Sequence, residues 1–147
     1  MIGGNGETKT LRMVAQYADE SNLTCGKADV PRKVEVLAEH CQRLGRDRSE
    51  VTQSWLRRAH IAPTMEQARS EMAAFMGPRG VDYAGMSDED KAAFEADWVF
   101  RDPDTVAQIL ADDLSLGVEG YVLSLVANGH DPDRVALLGE TASKALG

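Results

Sequence analysis

The run Gly3-Gly4-Asn5-Gly6-Glu7-Thr8 lies between an apolar stub, Met1-Ile2, and a stretch of helical periodicity, and it is the strongest chemical feature of the sequence. Glycines let a backbone approach a phosphate closely, and a helix N-terminus offers unpaired N–H groups with partial positive charge. The spacing fits neither common nucleotide fingerprint, because Lys9 is not at P-loop distance and the third glycine of the dinucleotide pattern is absent. Two readings stand at this point: a phosphate cradle, or a tight βα turn that needs glycine for its own geometry. Asn22 to Cys25, His60 to Ala62 and Ala127 to His130 are further candidates by position, since each lies at the end of an expected strand, on the face where a parallel βα layout gathers strand ends and helix starts. No metal is expected. His40 and Cys41 are neighbours on one helix and point apart, while His60 and His130 have no cysteine or carboxylate at ligand spacing. There is no Gly-x-Ser-x-Gly elbow, and nothing in the sequence gives Cys25 a histidine partner.

The elements that must position these residues alternate. From Glu7 the apolar positions Leu11, Val14, Ala15 and Ala18 repeat at helical spacing, with Met13 and Tyr17 on an adjoining stripe. Ser21 to Cys25 reads as a short strand. Asp29, Val30 and Pro31 start a second helix, with Asp29 as its cap, striped by Val34, Leu37, Ala38, Cys41 and Leu44 and stopped by Gly45. Val51 to Ala62 is a long strand ended by Pro63, and on it Arg57 and Arg58 point to opposite faces, one expected to pair with an acidic helix and the other to lie at the surface. Thr64 with Gln67 predicts a capping box, and Ser87 with Asp90 a cap, for two helices between 64 and 100 that interrupt the alternation as an insertion. Met65, Met72, Phe75 and Met76 are at core spacing there. Asp102-Pro103 starts a helix carrying Val106, Ile109, Leu110 and Leu114. Tyr121 to Val126, almost continuously apolar, predicts a parallel strand buried on both faces. Asp131-Pro132 starts a last helix running to Gly147. Repeated βα units imply a parallel sheet with right-handed crossovers, in which all strand ends and helix starts share one face.

Composition sets limits on function. The 147 residues are 43% hydrophobic and 27% charged, enough for a core of ordinary size, and the net charge is −8. That balance argues against a nucleic-acid partner, which needs a dense basic patch. Residues 1 to 62 hold ten basic and eight acidic side chains, whereas 63 to 147 hold six and sixteen, so the first part carries +2 and the second −10. No membrane-spanning run and no leader peptide is expected, and the cytoplasm is the expected location. A complete eight-stranded barrel typically needs about 250 residues, so this chain is too short for one.

The residues Met1 to Leu11, with Ala15, Tyr17-Ala18-Asp19 and Asn22, resemble the segment that opens the C-terminal half of luciferase-like oxidoreductases, most closely the branch using the deazaflavin coenzyme F420. The resemblance continues at Lys33 to Leu37, Cys41, Gly45-Arg46-Asp47 and Gly117 to Gly120. It implies an α/β chain that is the C-terminal half of a (β/α)8 TIM barrel, about four parallel strands with helices outside, a single partial domain over 1 to 147 carrying the helical insertion near 64 to 100. By the same resemblance Gly3, Gly4, Asn5 and Gly6, then Asn22, Leu23 and Thr24, hold the phosphate end of F420, or of FMN as the alternative, through backbone N–H groups. Members of the family move a hydride between such a cofactor and a small organic substrate, or use reduced flavin with oxygen as monooxygenases. Their catalytic residues come largely from the other half of the barrel, so no catalytic residue is assigned. Half a barrel leaves open sheet edges, which implies a homo-oligomer or a complement to an N-terminal half. A truncated, inactive half-barrel serving as an oligomeric interaction module is the competing expectation.

Overall fold

A computed structural model describes residues 1 to 146. Among the described residues, five strands, β1 (Ile2–Gly3), β2 (Glu20–Leu23), β3 (Thr52–Ile61), β4 (Val99–Arg101) and β5 (Gly120–Leu125), are interspersed with six α-helices, α1 (Thr10–Tyr17), α2 (Val30–Leu44), α3 (Met65–Met76), α4 (Asp88–Ala96), α5 (Pro103–Leu114) and α6 (Pro132–Leu146), with α3 and α4 both between β3 and β4. The strands hydrogen-bond in the order β1-β2-β3-β4, with β5 also on β3. The pairs β1/β2, β2/β3 and β3/β4 are all parallel. This is the α/β parallel arrangement that the βα periodicity predicts.

Two compact units divide the chain. The first comprises residues 1 to 57 and 113 to 122. Its core joins Leu11 of α1, Leu23 of β2, Val30 and Val36 of α2, and Trp55 of β3. A second cluster packs Val14, Ala15 and Ala18 against Leu37, Cys41 and Val51. The α1 stripe lies in these clusters, as do Leu37 and Cys41 of the α2 stripe, with Val34 packed against them; Leu44, expected on that stripe, is exposed, and Val36 is buried in its stead. Arg57 pairs as expected with an acidic helical residue: Asp113 is fully buried, with Lys27 Nζ at 2.7 Å and Arg57 Nε at 3.5 Å. The Arg57 guanidinium also lies 4.3 Å from the centre of the Trp55 ring, which compensates part of its desolvation.

The second unit comprises residues 58 to 112 and those from 123 onward. Its core holds Ala68, Met72 and Met76 of α3 with Tyr83, Trp98 and Phe100, so the predicted methionine spacing is core. Glu95 is buried there. Arg69 at 3.1 Å, Arg101 at 3.2 Å and the Tyr83 hydroxyl surround its carboxylate, the satisfied form in which a buried charge is tolerated.

Several local expectations are corrected. Helix α1 starts at Thr10 rather than Glu7, because Glu7 is drawn to α2, where Lys33 Nζ holds its carboxylate at 2.6 Å. Asp29 makes no capping bond: a single 3₁₀ turn over Lys27–Asp29 has already put its backbone in the helical region, and a side-chain cap needs extended geometry. Thr64 and Ser87 do accept from the N–H groups of Gln67 and Asp90. The return half of the Thr64 box is missing, since Gln67 donates instead to Glu71; at the Ser87 cap the Asp90 carboxylate also accepts from the Ser87 hydroxyl. Strand β4 was not expected at all. Finally, β5 is not buried on both faces, for Val122 is exposed, and the strand ends at Leu125, short of the exposed Val126. Its hydrogen-bonded strand neighbour is β3, and near-continuous apolar character cannot by itself say which neighbours a strand has.

Candidate functional site

The glycine turn and the end of β2 come together in the first unit. Gly3 is in register with Asn22, and the Gly4 N–H donates to the Asn22 carbonyl at 3.0 Å. Asn5 ties the two loops: its Nδ2 donates to the Thr24 hydroxyl and its Oδ1 accepts from the Thr24 N–H, both at 2.8 Å. Gly4 has φ +130°, a conformation that L side chains rarely adopt. A Cβ on Gly6 would lie 2.9 Å from Thr10 Oγ1, and one on Gly4 would lie 3.2 Å from Thr10 Cγ2. Thr10 therefore explains part of the glycine requirement without any ligand. The Gly6 carbonyl accepts from the Leu11 N–H at 2.9 Å, a wide first turn that joins the glycines to α1.

The expected donors divide. The N–H groups of Gly4 and Thr24 are engaged within the protein, and Leu23 is buried with its side chain in the core, so it can offer only backbone. The Asn22 side chain donates to Ser54 Oγ at 2.9 Å. The N–H groups of Asn5 and Gly6 and the Thr10 hydroxyl have no protein acceptor among the described residues. These three groups are among the free donors of the turn, beside the N–H groups of Glu7 and Thr8. Glu7 brings a negative charge next to them, and α2 neutralises it: the Lys33 hydrogen bond leads, with the charges of Lys33 and Arg32 behind it, in holding the carboxyl below the usual carboxylate range. His40 Nε2 lies 2.7 Å from the Glu7 carbonyl. A carbonyl can only accept, so that nitrogen carries the proton.

Cys25 ends the β2 loop. Its carbonyl accepts from the Trp55 indole N–H at 3.0 Å, and burial pushes its thiol up. It is held as a thiol, unsuited to nucleophilic work.

The other two candidate strand ends meet in the second unit. Asn128 Nδ2 donates at 3.0 Å to both the Ile61 carbonyl and Glu71. Arg134 of α6 donates to Glu71 at 2.7 Å, and His60 Nε2 is 3.7 Å from the same carboxylate. Burial raises the Glu71 pKa, but the hydrogen bonds from Arg134, Asn128 and Gln67 outweigh it and hold the group below its ordinary value. His60 is fully buried and its pKa is pushed down by that burial. Its Nε2 meets the Ala68 carbonyl at 3.1 Å, so Nδ1 is the bare acceptor. Through that bond His60 ties β3 to α3. A cleft of about 380 Å³ beside this group is lined by Phe75, Ala127, His130 and Asp131 among others. Among the described residues no cluster of histidine, cysteine and carboxylates could hold a metal ion.

Sequence reasoning missed Thr10, Ser54, Glu71 and Arg134. Thr10 stands four residues beyond Gly6, a signal readable only once the turn is known to fold back on the helix. Glu71 and Arg134 are 63 residues apart, and nothing local couples them.

With that geometry established, comparison with solved structures becomes informative. The coenzyme F420 dependent tetrahydromethanopterin reductase of Methanopyrus kandleri superposes with a TM-score of 0.72 at 19% identity, over 99% of this chain and 50% of that one. The EDTA monooxygenase of Chelativorans sp. BNC1 gives 0.76 at 13%, over 99% and 47%. The oxygenating constituent of 3,6-diketocamphane monooxygenase of Pseudomonas putida, solved in complex with FMN, gives 0.67 at 16%, over 98% and 46%. The fold is shared. The chain spans about half the length of each of these proteins. No protein-family model and no curated sequence matches the chain. Among the described residues no helix is long and apolar enough to cross a membrane.

Proposed function

We propose that this chain is the cofactor-phosphate half of a luciferase-like oxidoreductase. In this reading the Gly3 to Gly6 turn and the Asn22 to Thr24 loop hold the phosphate end of coenzyme F420, with FMN as the alternative. The observation that carries it is the set of free donors at one turn, the N–H groups of Asn5 and Gly6 and the Thr10 hydroxyl, gathered beside a glycine backbone with no bulky side chain. Backbone N–H groups at a helix start suit a phosphate. The fit is extended by the fold neighbours, which include an F420-dependent reductase and an FMN complex.

The division of labour would be as follows. Asn5 fixes the two loops against each other, so the donors are oriented before a ligand arrives and little ordering cost remains on binding. Lys33 and Arg32 cancel the Glu7 charge that would repel an anion. The bound cofactor supplies the hydride chemistry with a small organic substrate. Residues that would face its reactive ring are not assigned, and the chain acts with a second copy or with an N-terminal half. Fluorescence titration with F420 and with FMN tests the reading: saturable binding of either supports it, and binding of neither refutes it.

The exposed Val122 on β5, together with the exposed Leu56 on β3, favours a second reading, a non-enzymatic half-barrel whose sheet serves association. Oligomer formation without binding of either cofactor would establish it instead.

A further inference from the structure

The outer surface of α1 and α2 in the first unit carries apolar side chains that no core claims. Tyr17 is 70% exposed, Met13 50% and Leu44 45%. Around them stand Lys9 and Arg12, both exposed and neither in an ion pair among the described residues, together with Arg43. Two adjoining depressions of about 350 and 380 Å³ share Thr8 and Arg12 in their walls. An apolar centre with a charged rim is the anatomy of a recognition surface rather than of a solvated helix.

We propose that this surface docks a second copy of this chain, through the acidic helix α4 of that copy. Charge complementarity selects the occupant. The chain is −8 overall while its first part is +2, so two copies repel one another unless the basic face of one meets the acidic part of the other. The densest exposed acid in the sequence is Asp88, Glu89 and Asp90 at the start of α4, followed by Asp97. Lys91, the one basic residue of that helix, is turned back to the Ala84 carbonyl at 3.1 Å. The contact joins unlike surfaces, each copy supplying one of each kind. It uses neither the glycine turn nor the exposed strand residues, and so stands whether or not a cofactor binds.

The test is a charge swap on the full chain, read by sedimentation velocity. One variant carries Lys9→Glu with Arg12→Glu, and the other Asp88→Lys with Glu89→Lys; all four side chains are exposed, so circular dichroism should be unchanged. The parent is expected to associate to at least twice the single-chain mass at about 50 mM salt and to dissociate at about 500 mM, where the Debye length falls to a few ångströms. Each variant alone should sediment as a single chain, and an equimolar mixture of the two should recover the doubled mass. The proposal is overturned by a parent that remains a single chain at low salt. Association that survives both high salt and the Lys9→Glu/Arg12→Glu change would place the contact on the open strands and equally overturn it.

Discussion

Gly4 and His60 represent two ways in which one residue constrains this fold. At φ +130° a Gly4→Ala change places a Cβ against the Thr10 methyl. It should cost about 1–2 kcal/mol of stability in urea unfolding, and under the proposed function cofactor affinity should fall with it while far-ultraviolet dichroism is retained. Removing Asn5 has a different signature. Asn5→Ala deletes both bonds to Thr24 and should cost about 1–2 kcal/mol, with the loss confined to the first unit in hydrogen exchange. His60 gives a pH dependence. Burial holds its folded pKa below 6.5, so below that value the unfolded chain binds more protons than the folded one, and stability is lost as pH falls. Urea titrations at a series of pH values from about 7 down to 5 should show this slope in the parent, and it should be smaller in His60→Gln. Glu71, held below 4.5, adds a second loss at lower pH with the same sign.

At the scale of elements, periodicity was a good guide to which faces are buried and a poor one to where helices start. Leu11, Val14 and Ala15 in α1, and Met72 and Met76 in α3, are buried as their spacing predicts, because burial of one stripe is what stabilises a short helix. The starts depend on competition between side chains. Glu7 is taken by Lys33, and Asp29 by a preceding 3₁₀ turn, and both partners lie outside the local pattern. Strand β4 was illegible for a related reason: three residues show no period, and Val99–Arg101 exists because Ala59 to Ile61 offer a parallel edge in register. The candidate site divides in the same way. Its glycines stood out between a strand end and a helix start and Asn22 by its place at an expected strand end, whereas Thr10, which fills the space above Gly6, and Ser54, which engages Asn22, required the fold. Where a cap did form the energetic consequence is direct: Thr64→Ala removes the acceptor for the Gln67 N–H at 3.2 Å and should cost about 1 kcal/mol in urea unfolding.

At the scale of the whole molecule, the chain divides into two compact units. The buried charges are settled inside each unit: Asp113 with Lys27 and Arg57 in the first, Glu95 with Arg69 and Arg101 in the second. Breaking either group should unfold its own unit most. Arg57→Met leaves Asp113 with Lys27 alone, and a loss of about 3 kcal/mol or more is expected from urea titration. The two tryptophans of the chain are distributed in the same way. Trp55 is buried in the first unit with its indole N–H on the Cys25 carbonyl, one residue beyond Thr24, while Trp98 stacks on Phe94 in the second. Each unit thus contains its own optical reporter: single-tryptophan variants would record two emission transitions separately, and the one at Trp55 would also sense rearrangement of the loop after β2.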